Sequence, residues 1–404
     1  MEKQYLAKEN MSKLEELIEQ YCPDGVEWKH LEEFCEIKTG KGITKKDSNE
    51  NGTYPIISGG VTPMGYYHIF NREGRTVTIS RVGANAGLVS FIDKRFYLND
   101  KCFSIIPSNG TNTKFLYYIL SAREADIKGM QSEGGVPTIN TQKVGSIKIP
   151  VPPLPVQEEI VRVLDAFTEL QAELQAELQK RKQQYNFYRD NLLDFKDINR
   201  GGQEIKWMKL KDVATQWYRG AGIKREEVGN EGMPCIRYGE IHTSYNIWFK
   251  DCISHTDETK QATKKYAEYG DILFAITSED IPLVGNSVAY LGKEKIMVGG
   301  DIVVMKHNQD PRYMAYALST SDAIKQKGKG KVKSKVVHTN VPSLQEIIIP
   351  IPPMEEQQRI ADILDRFDTL TNDLTSGLPA EMEKRRQQYE YYRDRLLTFK
   401  RKKA

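Results

Sequence analysis

The sequence predicts a mixed α/β (α+β) fold in which two similar heads are separated by two long antiparallel, coiled-coil-like helices, forming an internal repeat with pseudo-twofold character. Three observations predict it. KRKQQYNFYRDNLLDF at 180–195 recurs as KRRQQYEYYRDRLLTF at 384–399, with 11 of 16 positions identical. IKIPVPPLPVQEEIVRVLDAFTEL at 147–170 recurs as IIIPIPPMEEQQRIADILDRFDTL at 347–370, with 11 of 24 identical. Between these blocks, 26–146 and 205–346 share only landmarks: Trp28 with Trp207, Leu31 with Leu210, Pro55 with Pro234, and Asn140 with Asn340. The repeat is half the chain, far longer than a solenoid period. A frame that is held while its heads diverge reads as two readers of different targets.

In chain order the expected parts are an N-terminal helical segment (1–25), a first head (26–150), a long helix (151–200), a second head (201–349) and a second helical region (350–404). In the first segment Leu14, Leu17, Ile18 and Tyr21 lie at helical spacing, with no apolar leader before them. The heads are strand-rich. TVTIS (76–80), GLVSFI (87–92) and KCFSII (101–106), then DILFAI (271–276), NSVAYL (286–291) and GDIVVM (300–305), are β-branched or aromatic runs bounded by turn signals. TKFLYYILSA (113–122) and PRYMAYALST (311–320) give each head one short helix.

The long helices start after proline pairs, where Gln157-Glu158-Glu159 suit a helix N-terminus. Apolar positions then run Ile160, Val163, Leu164, Phe167, Leu170, Leu174, Leu178, Tyr185, Tyr188 and Leu192 until Gly201-Gly202. About 40 residues make a rod of roughly 60 Å. Within it QAEL occurs in tandem at 171–178, each copy adding ~6 Å and about 40° of rotation. The second region carries Ile360, Ile363, Leu364, Phe367, Leu370 and Leu374, then Ser376-Gly377-Leu378-Pro379. Proline disfavours helix in the residue before it and starts helices well, so a break near 377–378 is expected. Stripes this long are expected to pair with each other.

Composition bounds the class. Charged residues are 28%, hydrophobics 39%, and the net charge is +3. No apolar run approaches the ~18 residues of a membrane helix, so a soluble, cytoplasmic chain is expected. Five cysteines without a CxxC pair read as free buried thiols, and the six histidines lack metal-ligand spacing. No Walker A loop is present, since GKGKVKS places its glycines and lysines at the wrong intervals. The adenine-methylating Asn/Asp-Pro-Pro-aromatic tetrapeptide is also missing.

Candidate DNA contacts come from two loop sets and a lysine run. Ser58, Gly59 and Gly60, with Arg81 and Asn85, combine backbone freedom with side chains suited to guanine and adenine edges. Their counterparts are Arg237, Tyr238 and Ser278; ordinary turns remain the alternative. KQKGKGKVKSK places Lys325, Lys327, Lys329, Lys331, Lys333 and Lys335 two residues apart, so an extended chain would present them to phosphates along one edge; a solvated loop is the alternative. The first head has no such run, so the heads are expected to differ in salt dependence.

Duplicated heads, each followed by a PxPPLxxQxxI helix ending in QQYxxYRDxLL, resemble the specificity subunit of Type I restriction-modification enzymes over nearly the whole chain. The tandem QAEL and the TSGLPAE interruption resemble its IC subclass. The resemblance implies that the heads are target recognition domains, each reading half of a bipartite, asymmetric site in double-stranded DNA. It implies no catalysis and no cofactor on this chain. Two modification subunits would bring S-adenosylmethionine, and restriction subunits would bring ATP and magnesium. Docking is expected on exposed faces of the recurring segments, at Gln183, Gln184, Arg189, Asp190, Gln387, Gln388, Arg393 and Asp394, with internal helix pairing as the alternative. Two other functions stay open: a stand-alone metal-dependent nuclease using Asp24, Glu27 and Lys29, against which their close spacing argues, and a spacer protein without DNA affinity.

Overall fold

The computed structural model describes residues 13–49, 51–108, 110–132, 135–195, 205–279, 283–328, 331–333, 336–372 and 377–402. The chain divides into two compact units, Met1–Glu173 with Glu383–Ala404, and Leu174–Met382. Each unit holds one head and a length of helix from each of the two long-helix regions.

The scattered landmarks mark the neck of each head. Trp28–His30 pairs antiparallel with Lys148–Pro150, Trp28 opposite Pro150, and the Leu31 amide donates to the Ile147 carbonyl at 3.0 Å. Lys206–Lys209 pairs likewise with Ile348–Ile351, Trp207 opposite Pro350, and Leu210 donates to Ile347 at 2.9 Å. Just before each neck an asparagine caps a short helix: Asn140 accepts from Lys143 N at 2.8 Å and Asn340 from Ser343 N at 2.9 Å.

Both heads are built on an antiparallel sheet whose equivalent strands keep one order. In the first it runs Cys35–Thr39, Cys102–Pro107, Thr76–Ser80, Val89–Ile92; in the second, Ala214–Arg219, Ile302–His307, Ile272–Ala275, Ser287–Tyr290, with Trp248–Phe249 added in parallel at the edge. The inner strands Thr76–Ser80 and Ile272–Ala275 are buried at every position, which explains their unbroken apolar sequences. Thr113–Ala122 and Pro311–Leu318 pack on these sheets. Each head has more helix than its sequence suggested, in particular Glu124–Gly129 and Ser321–Lys327. At the N-terminal end residues 13–21 are helical; Leu14 is buried, whereas Tyr21, expected on the same face, is exposed.

A matching polar node ties each head to its helix. Asn112 N donates to Gln157 Oε1 at 2.8 Å, and Gln157 Nε2 to the Pro152 carbonyl at 2.7 Å. One helical turn or two further on, Asp165 accepts from the Tyr118 hydroxyl at 2.5 Å and Lys114 Nζ at 2.7 Å. The second unit repeats this with Asp310 N on Gln357 Oε1 (3.0 Å), Gln357 Nε2 on Pro352 O (2.8 Å), and Tyr316 (2.7 Å) and Arg312 (2.8 Å) on Asp365.

Leu154–Leu193 is one helix of 40 residues. The other region is broken where its proline predicted, into Met354–Asn372 and Leu378–Leu396. In the first unit Phe167 stacks on Tyr392 at 5.3 Å; in the second Tyr188 stacks on Phe367 at 5.8 Å. Ile160 and Leu164 share a core with Leu396 and Phe399, as Tyr185 and Leu193 do with Ile360 and Leu364.

The extended six-lysine edge is corrected by the fold. Lys325 and Lys327 belong to the helix Ser321–Lys327, and Lys327 is buried, its Nζ 3.0 Å from Ser287 Oγ and 5.9 Å from the Phe274 ring centroid. Helical spacing of about 100° per residue turns Lys325 and Lys327 to different faces. Lys331 and Lys333 lie in the strand Lys331–Lys333, paired with Val336–His338; Lys329 and Lys335 fall outside the described residues.

Two measurements test this packing. Gln357→Ala leaves the Asp310 amide and Pro352 carbonyl without their partner, costing about 1–3 kcal/mol. A melt should show Tm lower by roughly 2–12 °C; an unchanged Tm would mean that the node carries no weight. Burial pushes the Lys327 ammonium down to about 7, whereas the unfolded chain holds that proton up to about pH 10. The unfolded state therefore binds more protons between these values, and stability rises with pH from 7 to 10. Lys327→Met should raise Tm at pH 7, with the gap to wild type closing as pH approaches 10.

Candidate nucleic-acid interface

In the first head, two chain-distant loops meet. Asn85 Nδ2 donates to the Gly59 carbonyl at 3.1 Å, joining Ser58–Gly60 to the turn that follows strand Thr76–Ser80. Gly83 and Gly87 in this turn have φ of 97° and 96°, a region that glycine enters without penalty. Arg81 is held at its base: Nη1 donates to Asp100 O at 3.1 Å, and the guanidinium carbon lies 5.3 Å from the Phe103 ring centroid. Its Nε is buried without a hydrogen-bond partner among the described residues. The Ile139 amide reaches back to the Arg81 carbonyl at 2.8 Å, so the segment before the neck closes against the turn.

Of the residues expected to read bases here, Arg81 is half-buried and retains donor capacity, and Gly60 is exposed. Ser58 is buried. Asn85 spends its amide nitrogen on Gly59, so its expected readout of adenine through both donor and acceptor is corrected to a tie between loops.

In the second head Arg237 and Tyr238 lie at the start of the helix Tyr238–Thr243, after strand Met233–Ile236. Glu240 Oε2 accepts from the Arg237 amide at 3.2 Å and Oε1 from Ser254 Oγ at 2.6 Å. Both residues line a cavity of about 460 Å³ with Arg219, Gly222, Gly299, Gly300 and Asp301. Ser278 is corrected: it is buried in the strand Thr277–Ser278, which pairs with Val336–His338. That three-stranded sheet also carries Lys331–Lys333. Lys325 remains exposed.

The docking segments divide into open and committed residues. Gln183, Gln184, Gln387 and Asp394 are exposed. Arg189 is buried, pairing with Asp190 at 2.8 Å and lying 5.7 Å from the Tyr185 ring centroid. Asp190 Oδ1 also receives the Ser321 amide at 3.4 Å. Arg393 repeats the pairing with Asp394 at 2.7 Å and lies 5.9 Å from the Tyr389 ring, while Gln388 accepts from Arg385 at 3.2 Å. The expectation of a wholly exposed face is therefore corrected at Arg189, which serves the internal packing.

The nuclease reading loses its geometry. Asp24 sits in a turn, and exposed Glu27 pairs with Lys29 at 3.0 Å, a contact that holds its carboxyl below the usual range. Among the described residues no group of three His, Cys, Asp or Glu is placed to hold a metal ion.

Arg219, Asp301 and the Gly299-Gly300 pair escaped the sequence reading. The signal was present in the repeat, because Gly299-Gly300 stands where the first head has Asn99-Asp100.

Comparison with known proteins assigns this arrangement. The family model "Type I restriction modification DNA specificity domain" matches twice, at 23–181 and 203–384. The chain is 30% identical to the EcoR124I/EcoR124II Type I restriction enzyme specificity subunit of Escherichia coli, over 96% of this chain and 97% of that protein. It is 29% identical to a putative Type I specificity subunit of Haemophilus influenzae, covering 97% and 100% of the two chains. In fold it is similar to the crystal structure of the S subunit of a Type I system from M. genitalium, with a TM-score of 0.56, 16% identity and coverage of 92% and 96%. A chain from a structure described as the basis of complex assembly and conformational transition in the Type I system superposes with a TM-score of 0.60 at 15% identity, covering 92% and 97%. With two copies of its domain, the chain belongs to the Type I restriction-modification DNA specificity family.

Proposed function

We propose that this specificity subunit reads a bipartite, asymmetric site in double-stranded DNA, one half with each head, and that its long helices set the unread gap and dock two modification subunits. The family makes it the non-catalytic, sequence-recognising component of a Type I complex. The observation that carries the finer reading is the duplication itself. Two heads share strand order and neck, each is tied to a long helix by the same node, and the sequence between the ties has diverged. Shared frames with different surfaces suit two half-sites that differ in sequence.

The modification subunits would supply S-adenosylmethionine and methylate an adenine N6 in each half-site, the target base leaving the stack to reach them. Restriction subunits would add ATP and magnesium. The exposed glutamines Gln183 and Gln184, with Gln387, whose amide donates to Glu383 at 3.0 Å, are the docking contacts. Contacts to phosphate would come from Lys325 and the lysine-bearing 329–335 stretch, and contacts to bases from Arg81 and Arg237. No helix among the described residues is long and apolar enough to cross a membrane, and the cytoplasm is the proposed location.

N6-methyladenine should be mapped across the genome in cells with and without this chain, its modification partner present in both. A bipartite motif that disappears with the chain is the expected result; identical maps would reject the reading. Inserting one further QAEL after Leu178 should lengthen the gap and leave both half-sites as they were. An altered half-site would mean that the helix does more than set distance.

A further inference from the structure

The two heads build the same cleft and fill it differently. Gly40 lies against the carbonyls of Leu98 and Asn99, as Gly220 lies against those of Val298 and Gly299. Asn99 N donates to Ile57 O at 2.8 Å, and Gly299 N donates to Ile236 O at 2.9 Å. These bonds make Asn99 and Gly299 structural counterparts, and with them Ser58 and Arg237.

In the first head the Asn99 side chain occupies the cleft. It is 1% exposed, its Nδ2 donates to Ile43 O at 2.8 Å, and its Oδ1 accepts from Lys101 N at 3.0 Å. In the second head Gly299-Gly300 bring no side chain, and the 460 Å³ cavity stands open in that place. Two further glycines, Gly220 and Gly222, keep its wall bare: a Cβ at Gly222 meets nothing within 4 Å and one at Gly220 cannot fit, while one at Gly300 meets only the Ala221-Gly222 backbone.

The charged groups around the opening are arranged as a donor beside an acceptor. Arg219 is held by the Gly300 carbonyl and by Asp301 Oδ1, the latter at 2.8 Å. Arg237 forms no ion pair among the described residues, and it comes from the loop position that in the first head is an uncharged serine. Arg219 takes Asp301 Oδ1, so the opening offers the Arg237 guanidinium as donor and Asp301 Oδ2 as acceptor, and a phosphate would use the first and be repelled by the second. A G·C pair would not suffer that conflict: guanine O6 and N7 accept from a guanidinium, and the cytosine amino group donates to a carboxylate.

We propose that this glycine-walled cavity is a guanine-reading pocket of the second head, with Arg237 donating to the guanine edge and Asp301 facing the paired cytosine. It rests on the DNA-reading function proposed above. The first head, whose cleft is closed by Asn99, reads its half-site without it.

The test uses the full chain with its modification partners, mapping the methylated motif and measuring binding to duplexes carrying each base pair in turn. Arg237→Ala should make one G·C position of one half-site degenerate and leave the other half-site intact. Affinity for the cognate duplex should fall about 5- to 150-fold, with no further loss when that G·C pair is replaced. Gly222→Val, whose side chain enters the open space, should relax the same position, so the result does not hang on one variant's folding. An equal loss on every sequence with a shallower salt slope would make Arg237 a phosphate contact and overturn the assignment. So would an unchanged motif in both variants. If the wild-type complex itself shows no bipartite motif, the specificity function falls; if it shows one that both variants keep, the pocket alone falls.

Discussion

A half-buried carboxylate on the long helix, Asp165 in one unit and Asp365 in the other, is the contact on which the rest of each unit depends. Removing a carboxylate from water is costly unless it is paired and hydrogen-bonded. Here each receives a tyrosine hydroxyl and a cation from the short helix of the head, so its charge is compensated only when head and helix meet in one orientation. Burial first, and then the carboxylate itself, push the Tyr118 and Tyr316 hydroxyls far up, keeping them as donors. Gln157 and Gln357 add a second fixed point two turns away. Two points on one helix define a rotation as well as a position. For a protein that recognises DNA sequence, a head that could swivel on its helix would lose register with the base pairs it reads.

Outside those ties the heads are free to differ, and the cleft at the ends of the strands Cys35–Thr39 and Ala214–Arg219 records how. The backbone path is shared, down to the amide of Asn99 or Gly299 reaching the neighbouring strand end. Gly299 in place of Asn99 opens the closed cleft into a pocket, and Arg237 in place of Ser58 puts an arginine at its edge. In the first head the candidate guanidinium, Arg81, enters from the strand-end turn instead. The two heads thus carry their candidate arginines on different loops, which is how one scaffold can present two different donor patterns without altering its core.

Much of this was legible in the chain. The twin blocks around 147–170 and 347–370 gave the duplication and, with QQYxxYRDxLL, the family. Apolar runs such as TVTIS and DILFAI became inner strands because a strand buried on both faces needs no alternation. The Leu378-Pro379 step marked the helix break through local backbone sterics alone. Candidate site residues fared unevenly, and always for a packing reason. Lys327 follows the lysine spacing but faces Phe274; Arg189 carries a charge in the recurring YRD yet lies on Tyr185; Ser278 looks like a loop serine and is covered by Val336–His338.

What the sequence by itself determined is therefore the frame: the repeat, the strands and helices, the break, and the family. These follow from short-range rules, periodicity and backbone sterics, that act within a few residues. The tertiary structure alone decided which polar groups stay available. Whether Lys327, Arg189 or Asn85 meets solvent or a neighbour depends on residues tens of positions away, brought close by the sheets and nodes. The open pocket is the same case, since its walls at Gly222, Arg237 and Gly299 become one surface only when three distant strand ends are hydrogen-bonded side by side.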